Sequence, residues 1–274
     1  MWASIKTEAI ILSVAPWREA DRRYCALTPG HGKLEFFGRG AGKPLAKLAS
    51  HLDPCTILDL EIIRGARSVT VIGVERRQSF STLSTSLDHR LLALTSLGLL
   101  DKIIREEQED AVLYGELTTW LKFLDTQESL HPTRSTFLLS GFLLRLMRQL
   151  GYNVALDHCV GCEGDILPLS FRWHGGRGGL VCSSCIATNP GEWFLATPLR
   201  QEVVQLMRLA RDSSYDGLYR YPLKGADVSS LASCLHDTIL YHVPGATDRP
   251  FWTGILPLQT LAIPPLANPV PVQL

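Results

Sequence analysis

The stretch "SIKTEAIILSVAPWREADRRYCALTPGHGKLEFFGRG", Ser4 to Gly40, decides how the N-terminal third of the chain is read. Runs rich in Ile, Val, Tyr and Phe are separated by Pro16-Trp17-Arg18-Glu19 and by Pro29-Gly30-His31-Gly32. β-Branched and aromatic residues suit a pleated, half-buried surface, and Pro and Gly supply the turns between strands. "CTILDLEIIRG" (Cys55 to Gly65) and "SVTVIGVERR" (Ser68 to Arg77) continue the pattern, with turn residues recurring about every ten positions. Along "KLEFFGRG", the two-residue period of a strand allows only one of Phe36 and Phe37 to face outward. A small barrel or sandwich follows.

Five strands within the first eighty residues suit a five-stranded barrel of the oligonucleotide/oligosaccharide-binding (OB) type. After Ser81 the period changes. "SLDHRLLALTSLGLLDKIIREEQED", "AVLYGELTTWLKFLDT" and "TRSTFLLSGFLLRLMRQLGY" place apolar residues at helical steps of three and four. Pro132-Thr133 predicts the start of the third of these helices and Gly151 its stop. Thr197-Pro198 predicts an N-cap with Pro at the first position of "LRQEVVQLMRLARDS", and "DVSSLASCLHDTILYHV" reads as a last helix ending at Pro244-Gly245. The expected class is α+β. Residues 1–80 form an OB-type barrel, 81–155 and 191–245 the two parts of a helical domain, and 156–190 an inserted four-cysteine zinc hairpin. Residues 246–274 form an apolar, proline-rich tail expected to be extended and poorly ordered.

The chain has 274 residues, 46% of them hydrophobic and 20% charged, which describes a core-forming protein rather than a disordered one. "MWASIKTEAIILSV" lacks the basic start and small-residue cleavage site of a secretory signal. "LLALTSLGLL" (Leu91 to Leu100) is half the span of roughly 20 apolar residues that crosses a bilayer. A cytoplasmic location is expected. The net charge of +0 hides an asymmetry, because residues 1–80 carry twelve Lys/Arg against eight Asp/Glu. That excess points to a module facing a polyanion, set on a neutral body.

"FFGRGAGKPLAKL" (Phe36 to Leu48) invites a nucleotide-binding reading that fails. A Walker loop needs Gly six positions before Lys43, where Phe37 stands, and Ser or Thr where Pro44 stands. No Gly-x-Gly-x-x-Gly run opens a helix here either. What remains is a loop bearing Arg39, Lys43 and Lys47, whose glycines either let backbone and cations approach a phosphate chain or serve turn geometry alone. Arg18, Arg22, Arg23, Arg64, Arg67, Arg76 and Arg77 add positive charge, with Trp17, Phe36 and Phe37 among them. Cationic grooves with aromatic stacking platforms bind single strands.

Four of the seven cysteines form Cys159-x-x-Cys162 and Cys182-x-x-Cys185, nineteen residues apart, a spacing that reads as a zinc site. Each turn presents two sulfurs to one cation, and two turns complete a tetrahedron. The intervening "DILPLSFRWHGGRGGLV" reads as a hairpin reversing at "GGRGG". Four sulfurs leave no open position, so Zn2+ here is expected to be structural rather than catalytic. His158 and His174 lie nearby as neighbours rather than ligands. Cys25, Cys55 and Cys234 stand apart as small core residues. No Ser, His, Asp or Glu falls in a nucleophile pattern, and "REEQED" (Arg105 to Asp110) points around a helix, so no catalytic residue is assigned.

The order of strands, helices, four-cysteine insertion and helices resembles the RecO family of bacterial DNA repair and recombination mediators. The resemblance runs over most of residues 4–245, through "EAIILSVAPWREADRRYCALTPGHGKLEFFGRGAGKP" and through "GYNVALDHCVGC" followed by "LVCSSC". It departs at Gly42, where a basic residue is expected, and at Ala46, where Ser is expected. The resemblance implies a non-enzymatic protein that binds single- and double-stranded DNA and anneals complementary strands. Its implied partners are RecR and the C-terminal tail of single-strand-binding protein, and its implied effect is to help RecA onto coated DNA. Arg22, Arg23, Arg39, Lys43 and Lys47 would touch DNA, and Cys159, Cys162, Cys182 and Cys185 would hold zinc. From the residues alone, a zinc-stabilised RNA-binding OB protein and a docking scaffold without nucleic-acid contact remain alternatives.

Overall fold

The computed structural model describes residues 3–43, 46, 49–65, 68–104, 109–168, 170–243, 249–253 and 255. Five strands, β1 (Ala3–Trp17), β2 (Asp21–Thr28), β3 (Gly32–Gly38), β4 (Thr56–Arg64) and β5 (Val69–Ser79), close into a barrel in the order β1-β2-β3-β5-β4. Neighbours are antiparallel except β3 and β5, which meet in parallel at Phe37 and Thr70. The OB-type barrel is as expected. β1 serves two partners, pairing with β4 as far as Ile10 and with β2 from Ile10 onward. A register shift between Ile11 and Ser13 supplies the bend that closure needs.

The unbroken apolar run Ala9-Ile10-Ile11-Leu12 is buried on both sides. Ala9 and Ile11 join Tyr24, Leu34, Phe36 and Leu60 inside the barrel. Ile10 and Leu12, with Leu27 and Ile57, belong instead to the core shared with the helices. A strand covered on both faces has no need to alternate. β3 does alternate: Leu34 and Phe36 are buried, and Lys33, Glu35 and Phe37 are half-buried between them. Phe36 stacks on Tyr24 at 5.4 Å inside the barrel, so of the two phenylalanines only Phe37 is available to a ligand.

Helices α1 (Ser81–Thr85), α2 (Leu87–Ile103), α3 (Ala111–Thr126) and α4 (Pro132–Gln149) follow. The cysteine segment then contributes β6 (Phe171–His174), a 3-10 turn (Gly175–Arg177), β7 (Gly179–Cys182) and the short α5 (Ser183–Thr188). β8 (Thr197–Pro198), α6 (Gln201–Asp212), α7 (Tyr215–Arg220) and α8 (Gly225–His242) complete the described elements. Trp120 sits at the centre, stacked on Phe142 at 5.0 Å, and its Nε1–H donates to Ser96 Oγ at 3.0 Å. A buried indole thus keeps its polar atom paired. At Gly141 of α4 an added Cβ would lie 2.6 Å from Leu218 Cδ1, so glycine sets the close approach of α4 to α7. Pro132 opens α4 as expected, and Gly151 follows it at φ +85°.

One expectation needs correction. Thr197-Pro198 does not begin a helix; it forms β8, with Thr197 opposite Trp173 and Pro198 opposite Arg172. Proline's missing N–H is harmless on a two-residue edge strand. The helix begins at Gln201, after an Arg200 that makes no side-chain cap.

Barrel and helices share one apolar core, to which polar contacts add at the seam. Lys33 Nζ lies 2.8 Å from Asp101 Oδ1, and the Tyr114 hydroxyl donates to Glu8 Oε1 at 2.8 Å. Among the described residues no helix is long and apolar enough to cross a membrane. Within the 246–274 segment, Phe251 and Trp252 pack against His236 of α8, with ring centroids at 6.2 and 5.5 Å. These residues are therefore part of the packed body. Residues 256–274, the bulk of the expected tail, lie outside the described residues.

Candidate metal centre and nucleic-acid face

Four sulfurs converge at the hairpin. The Sγ atoms of Cys159, Cys162, Cys182 and Cys185 all lie within 4.8 Å of one another, with Cys159–Cys185 at 3.8 Å and Cys162–Cys182 at 3.9 Å. A tetrahedron with metal–sulfur bonds of about 2.3 Å has edges of about 3.8 Å. The first turn is built by Glu163 N–H donating to Cys159 O at 2.9 Å and Cys159 N–H to Gly164 O at 2.8 Å, with Glu163 at φ +58°. The second is the start of α5, where Cys185 N–H donates to Cys182 Sγ at 3.4 Å. Gly161 admits no side chain, since a Cβ would meet Trp193 at 2.8 Å and Cys185 Sγ at 3.2 Å.

The electrostatics favour a cation. Burial pushes the Cys159 thiol up, but backbone N–H groups around it, including those of Cys182 and Gly161 at 3.3 Å, outweigh this and bring it down to about 6. Cys185 moves the other way, to about 12, because it shares hydrogen bonds with Cys162 and Cys182 beside that negative charge. Four thiolates this close would repel one another, and a divalent ion would supply the counter-charge. Neither histidine takes part. His158 Nδ1 faces Asp165 at 3.1 Å, and His174 Nδ1 accepts from Arg177 N–H at 3.1 Å while its ring edges Trp193. Among the described residues this is the one group of His, Cys, Asp or Glu side chains able to hold a metal.

At the rim of the barrel, the β1–β2 turn, the end of β3 and the β4–β5 loop enclose a cleft of about 150 Å³. Trp17, Arg18, Phe37, Arg39 and Thr70 are among the residues lining it. Trp17 and Phe37 lie 5.2 Å apart, and Trp17 is 41% exposed. The glycine-rich loop is tied across this rim, with Gly40 N–H donating to Asp21 Oδ1 and Gly42 N–H to Ala20 O, both at 2.8 Å. Gly40 at φ +66° makes the turn possible. A separate open groove on β1, β4 and β5 has an acidic excess, with Glu8, Asp59, Glu61 and Glu75 against Lys6 and Arg77.

Residues 1–80 match the family model Recombination protein O N terminal, and residues 86–249 match Recombination protein O C terminal. The chain belongs to the RecO family. The DNA repair protein RecO of Dehalococcoides mccartyi is 25% identical over 256 residues, 93% of this chain and 97% of that one. That of Frankia casuarinae is 31% identical over 182 residues, 66% of this chain and 72% of that one. That of Clostridium perfringens is 27% identical over 224 residues, 81% and 85% of the two chains.

With the RecO family as frame, the assigned residues separate. Arg39 lines the cleft. Arg22 is exposed at the mouth of the barrel, opposite Gly38, and Lys43 is exposed on the loop. Arg23 faces Phe37 across the strands but pairs with Glu35 at 3.5 Å. Lys47 lies outside the described residues, as does Arg67. Arg77 pairs with Glu8 at 2.6 Å and Asp59 at 3.1 Å on the acidic side, so it is no part of the cleft. Arg18, not among the five assigned residues, lines the cleft beside Arg39. The departure at Gly42 also has a local reason, since a Cβ there would lie 3.2 Å from Ala20 O.

Proposed function

We propose that this RecO-family chain is a non-enzymatic DNA repair mediator that binds single- and double-stranded DNA and anneals complementary strands. With RecR it would help load RecA onto DNA coated with single-strand-binding protein. The observation that carries this reading is the cleft lined by Arg18, Arg39 and the Trp17–Phe37 pair, in which the one carboxylate among the described residues, Asp21, is engaged by Gly40 N–H. OB barrels bind oligonucleotides through the same region, the strand 2–3 face and the loops after strands 1 and 4. Guanidinium groups neutralise phosphates while aromatic faces stack bases, so two strands held this way repel each other less and pair. Arg22 and Lys43 extend the positive rim, and Arg23 and Lys47 are the remaining candidates.

In this reading Cys159, Cys162, Cys182 and Cys185 hold structural Zn2+, which braces a hairpin whose own buried apolar cluster is small. The tail of single-strand-binding protein would dock on the helical domain. A groove with apolar walls from Leu99, Ile103, Ile239 and Phe251 and with Lys102 and Arg249 beside them suits an acidic, apolar tail.

The decisive experiment is annealing of complementary oligonucleotides coated with single-strand-binding protein, with the chain added and nucleotide omitted. Faster annealing that weakens with salt supports the proposal. No acceleration, or a clear preference for RNA over DNA of equal length, overturns it.

A further inference from the structure

Beyond α8 the chain folds back along α2. Thr253 N–H donates to Pro250 O at 3.1 Å and Ile255 N–H to Trp252 O at 2.9 Å, while Arg249 Nε donates to Thr253 Oγ1 at 3.1 Å. Among the described residues the hydrogen bonds of this strap close within it, and side chains fasten it to the body. Trp252 is 8% exposed, with its ring edge-on to His236 at 5.5 Å and to Phe251 at 4.8 Å. Phe251 lies with Leu99 and Ile103 at the end of α2, and Ile255 with Asp88 and Leu91 at its start.

Phe251 is thus both part of the strap and a wall of the groove that carries Lys102 and Arg249. Among the described residues that groove is lined by these two cations and by no carboxylate, which suits an acidic partner. The space left in it, however, is about 60 Å³. Ligand pockets span about 300–1,000 Å³, so a peptide does not fit while the Phe251 ring stays where it is.

We propose that the strap is a displaceable lid on this groove. An acidic peptide with an apolar end binds where the Phe251 ring lies, and its entry lifts residues 250–255 from α8 and α2. The proposal rests on the groove being the site for the acidic tail. Rings rather than hydrogen bonds fasten the strap, so among the described residues its release leaves no backbone group of α2 or α8 unpaired. Lys102 stays on α2 to meet the carboxylates of the partner, and Arg249 is freed from Thr253 to do the same. An apolar side chain entering in place of Phe251 restores the contacts that the ring gives up with Leu99, Ile103 and Ile239.

The test measures binding of acetyl-Asp-Asp-Leu-Phe, its C-terminal carboxylate free, to the full zinc-loaded chain, with acetyl-Asn-Asn-Leu-Phe amide as the uncharged control. A minor open state is commonly populated at about 0.1–10%, and apparent affinity is reduced by that fraction. Phe251→Ala combined with Trp252→Ala unfastens the strap, and is expected to bind the acidic peptide at least about tenfold more tightly than the parent. In the parent, binding should shift Trp252 fluorescence to the red, a change absent in Trp252→Phe. Zinc content and DNA affinity at parent values show the double variant to be folded. Equal or weaker binding in the double variant overturns the lid, as does a parent complex with unchanged Trp252 fluorescence. The groove still stands as the tail's site in those cases if Lys102→Glu abolishes binding. Equal binding of the uncharged peptide overturns the acidic occupant. No binding to parent or double variant overturns the groove itself, and the lid with it.

Discussion

Trp17 and Phe37 come from different strands and lie with ring centroids 5.2 Å apart and planes at 47°, an aromatic floor in the cleft that Arg18 and Arg39 also line. Stacking a base on such a floor contributes about 1–3 kcal/mol by alanine substitution. Trp17→Ala is therefore expected to weaken single-strand binding roughly fivefold to a hundredfold, measured by fluorescence anisotropy. Because Trp17 is exposed, the melting temperature should hardly move. Phe36→Ala is the opposite case. It empties a fully buried site and should cost about 3–5 kcal/mol of stability.

The cations of the barrel should divide in the same way. Arg39→Glu and Lys43→Glu place repulsion at the rim, so DNA affinity should fall, and each lost phosphate contact should lower the salt slope by about 0.7 for a single strand. Arg77→Glu removes the partner of both Glu8 and Asp59, outside the cleft. It should lower stability modestly and leave the salt slope near the parent value. Equal loss of DNA affinity in Arg39→Glu and Arg77→Glu would show that net charge matters and the cleft does not.

That division marks how far the residues alone could be read. Turn spacing in Ser4–Gly40 was enough for the barrel, and the repeated Cys-x-x-Cys for the sulfur cluster, because both patterns are local. Which arginines are paired was not legible. Glu8 and Arg77 stand 69 positions apart, and only closure of the barrel brings them together. Arg18 was legible as a cation but not as a partner of Arg39, for the same reason. Thr197-Pro198 misled because its helix-start signature is local, while the strand it joins begins at Phe171.

The sulfur cluster offers a prediction about metal. Cys182 caps α5 through its Sγ and closes β7, so Cys182→Ser removes one ligand and loosens the turn holding Cys185. Bound zinc should fall well below that of the parent, measured on the dialysed protein, and the helical melting transition should move down. Chelator treatment of the parent should reproduce the shift. Unchanged zinc in Cys182→Ser would refute a four-sulfur site.

Asp237 supplies a prediction in pH. Desolvation raises this carboxyl, with His236 opposing it, so the folded chain holds the proton to higher pH than the unfolded chain does. The folded state then binds more protons over that interval, and the residue's contribution to stability is lost as pH rises through its folded value. Below the unfolded carboxyl range of about 3.9 both states are protonated and the effect vanishes. Asp237→Asn removes the charge without changing the shape. The variant should melt at or above the parent temperature at pH 7, and the gap should close as pH falls through the folded value toward the unfolded one. Because both chains carry the same cysteines, loss of metal in acid affects them alike and cancels in the difference. A gap that stays constant or widens down to the unfolded carboxyl range would mean that solvent around the exposed Asp237 side chain cancels its desolvation.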